Sequence, residues 1–237
     1  MAKKLNPKAS TEAFLNQGDK QAIRFESVPA CAPLASAIIE ATAYLRAKHE
    51  KRLACDRAMI PHRIRSSFAD RNWDTVVRAT AALAEAKTGG KKSPDYLEMF
   101  PSGTGPLVIP TGAPQVKVAK NFIVHLESCT TPGARTVCEE QLPKLRAAHE
   151  GLAAAIAERA TAETALYVAR AEELAAKRDF NRTIDKTIAE VRALYPEDRA
   201  MQDLVFPSVR SSRRDADDTL EDLDDTAEDE PGEQDPG

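Results

Sequence analysis

The chain has 237 residues, with 33 Lys and Arg against 37 Asp and Glu, and aromatic residues make up only 5% of it. It holds no run of about eighteen apolar residues, so nothing reads as a bilayer span, and its Lys-bearing start lacks the apolar stretch of a secretory signal. Cys31, Cys55, Cys129 and Cys138 form no dense framework, which predicts reduced thiols in a soluble cytoplasmic protein.

The charge is divided along the chain. From Asp215 to Gly237 there are twelve acidic residues and no Lys or Arg, which leaves residues 1–214 with 33 basic against 25 acidic side chains, a balance of +8. A block of like charge repels itself and buries too little apolar surface to fold alone, so residues 210–237 are expected to form a disordered acidic tail.

In chain order, residues 1–20 are polar and contain Pro7 and Gly18. They read as a flexible arm, with one helical hint at Ser10-Thr11-Glu12-Ala13. From Pro33, the residues Leu34, Ile38, Leu45 and Leu53 form an apolar stripe at helical period. Proline lacks the backbone donor and crowds the preceding turn, so Pro61 is expected to break this helix. The stripe resumes at Ile64, Phe68, Trp73, Val76, Val77 and Leu83 and stops at Gly89-Gly90. Two helices with a short break between them predict an αα-hairpin.

Residues 89–114 hold five of the ten glycines and five of the fifteen prolines. They predict a long irregular loop, and its Tyr96, Leu97, Met99, Phe100, Leu107, Val108 and Ile109 should lie against the helices. Val116, Ala119, Phe122, Ile123 and Leu126 then give a shorter helix, broken around Thr130-Thr131-Pro132-Gly133. Pro143 to Tyr195 is the longest helical stretch. Its stripe changes phase between Leu174 and Phe180, which predicts a break near Lys177–Asp179 and a second hairpin; an unbroken coiled-coil arm is the alternative.

The two halves echo each other. Ala22-Ile23-Arg24-Phe25-Glu26-Ser27 resembles Ile123-Val124-His125-Leu126-Glu127-Ser128, and Leu97-Glu98-Met99-Phe100-Pro101-Ser102 resembles Asp203-Leu204-Val205-Phe206-Pro207-Ser208. Markers in the same order at matched spacing point to repeats at 22–102 and 123–208. The expected fold is therefore all-α, a helical bundle of four to five main helices over residues 21–209, built as two duplicated αα-hairpins.

Chemistry is sparsely signalled. His125 and Cys129 stand four apart with Cys138 and His149 downstream, but no Cys-x-x-Cys or His-x-x-x-His accompanies them, so no metal or cofactor is expected. His49-Glu50 and His149-Glu150 do not extend to His-Glu-x-x-His. Thr88-Gly89-Gly90-Lys91-Lys92-Ser93 lacks the glycine spacing of a phosphate loop and reads as a helix C-cap. No Gly-x-Ser-x-Gly occurs.

Basic clusters remain. Arg57, Arg63, Arg65 and Arg71 gather around the expected hairpin turn, and Arg210, Arg213 and Arg214 precede the tail. They are the candidate contacts for an anion or a nucleic-acid backbone, and the acidic tail could compete for them.

These observations lead to an interaction or structural module without catalytic activity, acting through a protein partner or as a homo-oligomer. One alternative is a nucleic-acid-associated protein with an autoinhibitory tail. Another is an enzyme with its site near loop 89–114.

Overall fold

A computed structural model describes residues 5–207. Among these the protein is all-α, with seven helices and no strand: α1 (Thr11–Glu26), α2 (Ala32–Thr88), α3 (Pro94–Met99), α4 (Gly105–Val108), α5 (Ala113–Glu127), α6 (Pro132–Leu194) and α7 (Arg199–Val205). The chain divides into two compact units, Met1–Glu40 with Phe180–Gly237, and Ala41–Asp179. The calls on the acidic tail and on Arg210, Arg213 and Arg214 lie outside the described residues.

Four local expectations are corrected. Residues 11–20 belong to α1 rather than to an arm, because Ser10 caps the helix by accepting from the Ala13 N–H, and Phe14 and Gly18 are buried on its inner face. Residues 89–114 are not one irregular loop. Ser93 caps α3 by accepting from the Tyr96 N–H, and Pro94 and Pro106 stand in the first turns of α3 and α4, where a missing donor is harmless.

Pro61 does not break α2, so there is no first hairpin turn there. A proline at 61 leaves the carbonyl of Arg57 without its helical donor. Both residues are exposed, which lets water satisfy that carbonyl. Pro143 inside α6 is exposed in the same way.

Nor is α6 interrupted at Lys177–Asp179. Its buried positions run Leu166, Ala169, Glu173, Ala176, Phe180, Ile184, Thr187 and Val191, steps of three and four without a skip. The seam is continuous, but small and charged residues occupy part of it, so a reading of large apolar residues alone finds a gap.

In the unit of Met1–Glu40 and Phe180–Gly237, α1 packs through Phe14 edge-on to Phe180 (5.7 Å) and Phe25 edge-on to Phe206 (5.5 Å). The buried Gln21 donates from Nε2 to the Val205 carbonyl (2.9 Å), and Asn181 donates to the Leu5 carbonyl (3.0 Å). Each supplies a donor to a backbone oxygen near the end of the described chain.

In the unit of Ala41–Asp179, α2 and α6 run antiparallel: Lys48 pairs with Glu172, His62 approaches Glu158, and Lys87 pairs with Glu140. One core gathers Trp73, Val77 and Ala84 of α2, Tyr96 and Met99 of α3 with its C-cap Phe100, Phe122 and Leu126 of α5, and Leu145 and Leu152 of α6. The Phe122 ring lies 6.5 Å from Trp73 and 5.3 Å from Phe100. Burying such rings contributes about 1.5–3 kcal/mol each. Trp73 also donates from Nε1 to the Leu107 carbonyl (3.0 Å), which fixes the α4 segment on α2.

Candidate interaction surface

The Ala41–Asp179 unit places three features within reach of a functional reading. The first is a polar layer inside the α2–α6 seam. His49, Arg52 and Asp56 occupy seam positions of α2 between the buried Leu45 and Met59. Opposite them is Glu173, only 6% exposed. Its Oε1 is 2.7 Å from His49 Nδ1, and its Oε2 is 2.7 Å from Arg52 Nε. Arg52 also reaches Asp56, and Arg170 of α6 reaches Asp56 from the other side (3.1 Å). At the edge, Glu172 accepts from Lys48 (3.0 Å) and Lys51 (2.9 Å), and their ammonium groups hold its carboxyl below the usual range. Buried charges are stable only when paired, so this layer admits one register of the two helices better than any slipped one.

The second feature is an anchored turn. The carboxylate of Glu98 in α3 accepts from the hydroxyls and backbone N–H groups of both Thr130 and Thr131, at the start of α6. The hydroxyl of Thr131, then the backbone of Thr130, hold its carboxyl down to about 2. Close by, Gly133 lacks the Cβ that would meet Asp95 at 2.1 Å. His125 approaches the Glu98 carbonyl at 2.7 Å. The apolar recess beside this turn, about 280 Å³, is lined by Met99, Phe100, Leu107 and Phe122, and its polar groups are few. It lies in the region where sequence analysis placed a site for the enzyme alternative.

The third feature is the outer face of α2. Ile60 (55% exposed), Ile64 (51%) and Phe68 (68%) recur every four residues and form one exposed apolar ridge. Met59, Ser66 and Trp73 point to the packed side instead. Arg57 stands three residues before the ridge and Arg71 three after it, both exposed on the same face.

Of the sequence-chosen arginines, Arg57, Arg63 and Arg71 make no ion pair with any described residue, whereas Arg65 lies 3.6 Å from Glu158. They do not flank a turn; they are spread over four turns of one straight-through helix. A cleft of about 460 Å³ takes in Arg63 and Arg159, but Asp70 and Glu163 line it too, so it has no net preference for anions.

The ridge was legible as Ile64 and Phe68 but misassigned to the interior, because spacing alone does not say which of two apolar stripes is inside. The polar layer was missed because it interrupts the apolar period. A near-repeat marks its neighbourhood: Leu45-Arg46-Ala47-Lys48-His49-Glu50 returns as Leu145-Arg146-Ala147-Ala148-His149-Glu150, differing only at Lys48 against Ala148.

Among the described residues, no helix is long and apolar enough to cross a membrane, and no group of three or more His, Cys, Asp or Glu is placed to hold a metal ion. Comparison with protein-family models, curated proteins and solved structures finds no match to this chain.

Proposed function

We propose that the protein is a helical interaction module that works through protein–protein contacts made on the outer face of α2. The observation that carries this reading is the ridge of Ile60, Ile64 and Phe68 framed by Arg57 and Arg71. A contiguous apolar strip bordered by charge on a monomer surface is the pattern of a contact site.

The scaffold behind it is a duplicated pair of helical hairpins in which α2 and α6 are the long arms. Three observations support duplication. α1 and α5 end alike, in Glu26-Ser27 and Glu127-Ser128. α3 and α7 both end at a phenylalanine, Phe100 and Phe206, whose N–H bonds four residues back. The buried series Trp73, Val77, Thr80, Ala84 has the rhythm of Phe180, Ile184, Thr187, Val191.

The partner is a protein segment carrying apolar and acidic side chains together. Two ridges would pair poorly with each other: antiparallel pairing about Ile64 sets Arg57 against Arg71, and parallel pairing sets each arginine against itself. Among the described residues a nucleic-acid reading rests on Arg57, Arg63, Arg65 and Arg71, with Arg65 already beside Glu158, and it leaves the apolar ridge without a role.

In-cell crosslinking from a photoreactive side chain introduced at Phe68 tests the proposal. The expected product is a covalent adduct with one protein species, lost when Ile64→Lys is added. Adducts to nucleic acid, or none with another protein, would overturn it.

A further inference from the structure

We infer that the cleft formed by α2, the start of α5 and α6 binds a small zwitterion, an amine and a carboxylate joined by a short methylene chain, with the amine on Asp70 and the carboxylate on Arg63. The site lies wholly within the Ala41–Asp179 unit and needs neither the ridge nor a protein partner. Arg63, Ser67, Asp70 and Asp74 follow one another along α2 at steps of four, three and four. They therefore share one helical face, beside that of Ile60, Ile64 and Phe68.

Two opposite charges line this cleft of about 460 Å³ without meeting. The half-buried Asp70 carboxylate makes no hydrogen bond or ion pair with any described residue, and its Oδ1 is shut off from solvent. The Arg63 guanidinium likewise pairs with no described residue. The other charges in the lining, Arg159 and Glu163, satisfy each other at 2.8 Å. Around Asp70 the surroundings favour an incoming cation. Asp74, one turn on, has its carboxyl pushed up by burial and then by the Asp70 charge. The fully buried Gln115 puts Nε2 3.4 Å from Asp74 Oδ1, and its own Oε1 accepts from no donor. An ammonium relieves a half-buried carboxylate set beside a second one, and its three N–H groups suit a place rich in acceptor oxygens. The start of α5 at Gly112, which has no side-chain cap, favours the carboxylate end. Arg63 stands two turns before Asp70, about 10 Å of helix rise. A ligand joining them carries its charges several bonds apart, as an ω-amino acid does. Ile156 and Ala160 of α6 line the cleft too and give its methylenes an apolar wall.

A chemical-shift titration of the full, isotopically labelled chain decides the matter, with glycine, 4-aminobutanoate, 6-aminohexanoate, hexylamine, hexanoate and calcium chloride as separate probes. One of the two longer zwitterions is expected to give saturable shifts at the Asp70 and Gly112 amides. Hexylamine and hexanoate, which lack one of the two charges, should bind at least about tenfold more weakly, and so should glycine. Arg63→Gln and Asp70→Asn should each cost about tenfold in affinity for that zwitterion. Arg63 is exposed, so its replacement leaves the packing intact, and Arg63→Lys should restore part of the binding. No saturable shift with either longer zwitterion would overturn the inference. So would hexylamine or hexanoate matching them, calcium as the sole probe that shifts those amides, or binding that survives both variants.

Discussion

His49 of α2 and Glu173 of α6 meet at 2.7 Å inside a packed helical seam, with Arg52 closing on the same carboxylate. Removing Glu173 leaves His49 without its carboxylate and Arg52 with Asp56 alone, in a seam between the buried Leu45 and Met59. Glu173→Ala is expected to destabilise the fold by about 2–4 kcal/mol, short of a fully buried pair because Arg52 keeps Asp56. Replacing Glu173, His49 and Arg52 together by Leu, Leu and Met should recover most of that loss, because no charge is then left unmatched. Urea denaturation of the single and triple variants checks the pair. A triple variant no better than the single would count against a seam held by matched charge.

The Glu98 carboxyl sits at about 2 in the folded chain against an ordinary 4.5. A depressed folded value stabilises the fold above the unfolded value and loses that contribution as pH falls from about 4.5 towards about 2. Wild-type thermal stability should therefore fall across this window. Glu98→Gln should be less stable at neutral pH and show a flatter decline below pH 4.5, measured by melting at stepped pH. Parallel curves for the two proteins would remove Glu98 from the acid response.

Restoring a donor at position 61 should stabilise α2. Pro61→Ala returns an N–H for the Arg57 carbonyl and relieves the clash with the preceding turn, a gain of about 1–3 kcal/mol. The melting temperature should rise. A fall would mean that the proline shapes the helix in a way its neighbours require.

Trp73 and Phe180 are both fully buried, and each packs edge-on against a phenylalanine of a shorter helix. Trp73→Ala and Phe180→Ala should each cost about 3–5 kcal/mol. Calorimetry that finds one change mild would set the two positions apart and weaken the case for a duplicated core.

Burial pushes the Cys129 thiol up to about 12 and raises those of Cys31 and Cys138 as well. The thiolate is the nucleophile, so these three should resist alkylation near pH 8. Cys55, half-buried on α2, should take up the reagent first. Mass spectrometry is expected to show one label on the native chain and four after denaturation. Early labelling of Cys129 would contradict its burial.

Helical content could be read from the chain because apolar residues at three- and four-residue spacing leave few other ways to bury them. The lengths of the long helices could not. Pro61 carries the same local signal whether it ends a helix or sits on its wet side, and only the tertiary placement of Arg57 decides. The apparent gap before Phe180 arose from following the stripe through Leu174, which is exposed, when the buried positions are Glu173 and Ala176. Glu173 is inside because His49 and Arg52, some 120 positions earlier, come to meet it, and no local pattern records that meeting. The ridge arginines were found, but their setting was not: they frame an apolar strip, which a count of charges does not reveal.

One compact unit draws on both ends of the chain, since Met1–Glu40 groups with Phe180–Gly237. The other, Ala41–Asp179, is the continuous stretch between them and is itself split by any cut near its middle. A cut in the α3–α4 connection, at Gly103, would therefore not release one finished half. Both fragments would carry torn pieces of each unit, α1 without Phe180 and α5 without Trp73, and would have to find one another before either could close. Ribosomal synthesis imposes the same wait: the first forty residues emerge long before the partners that complete them.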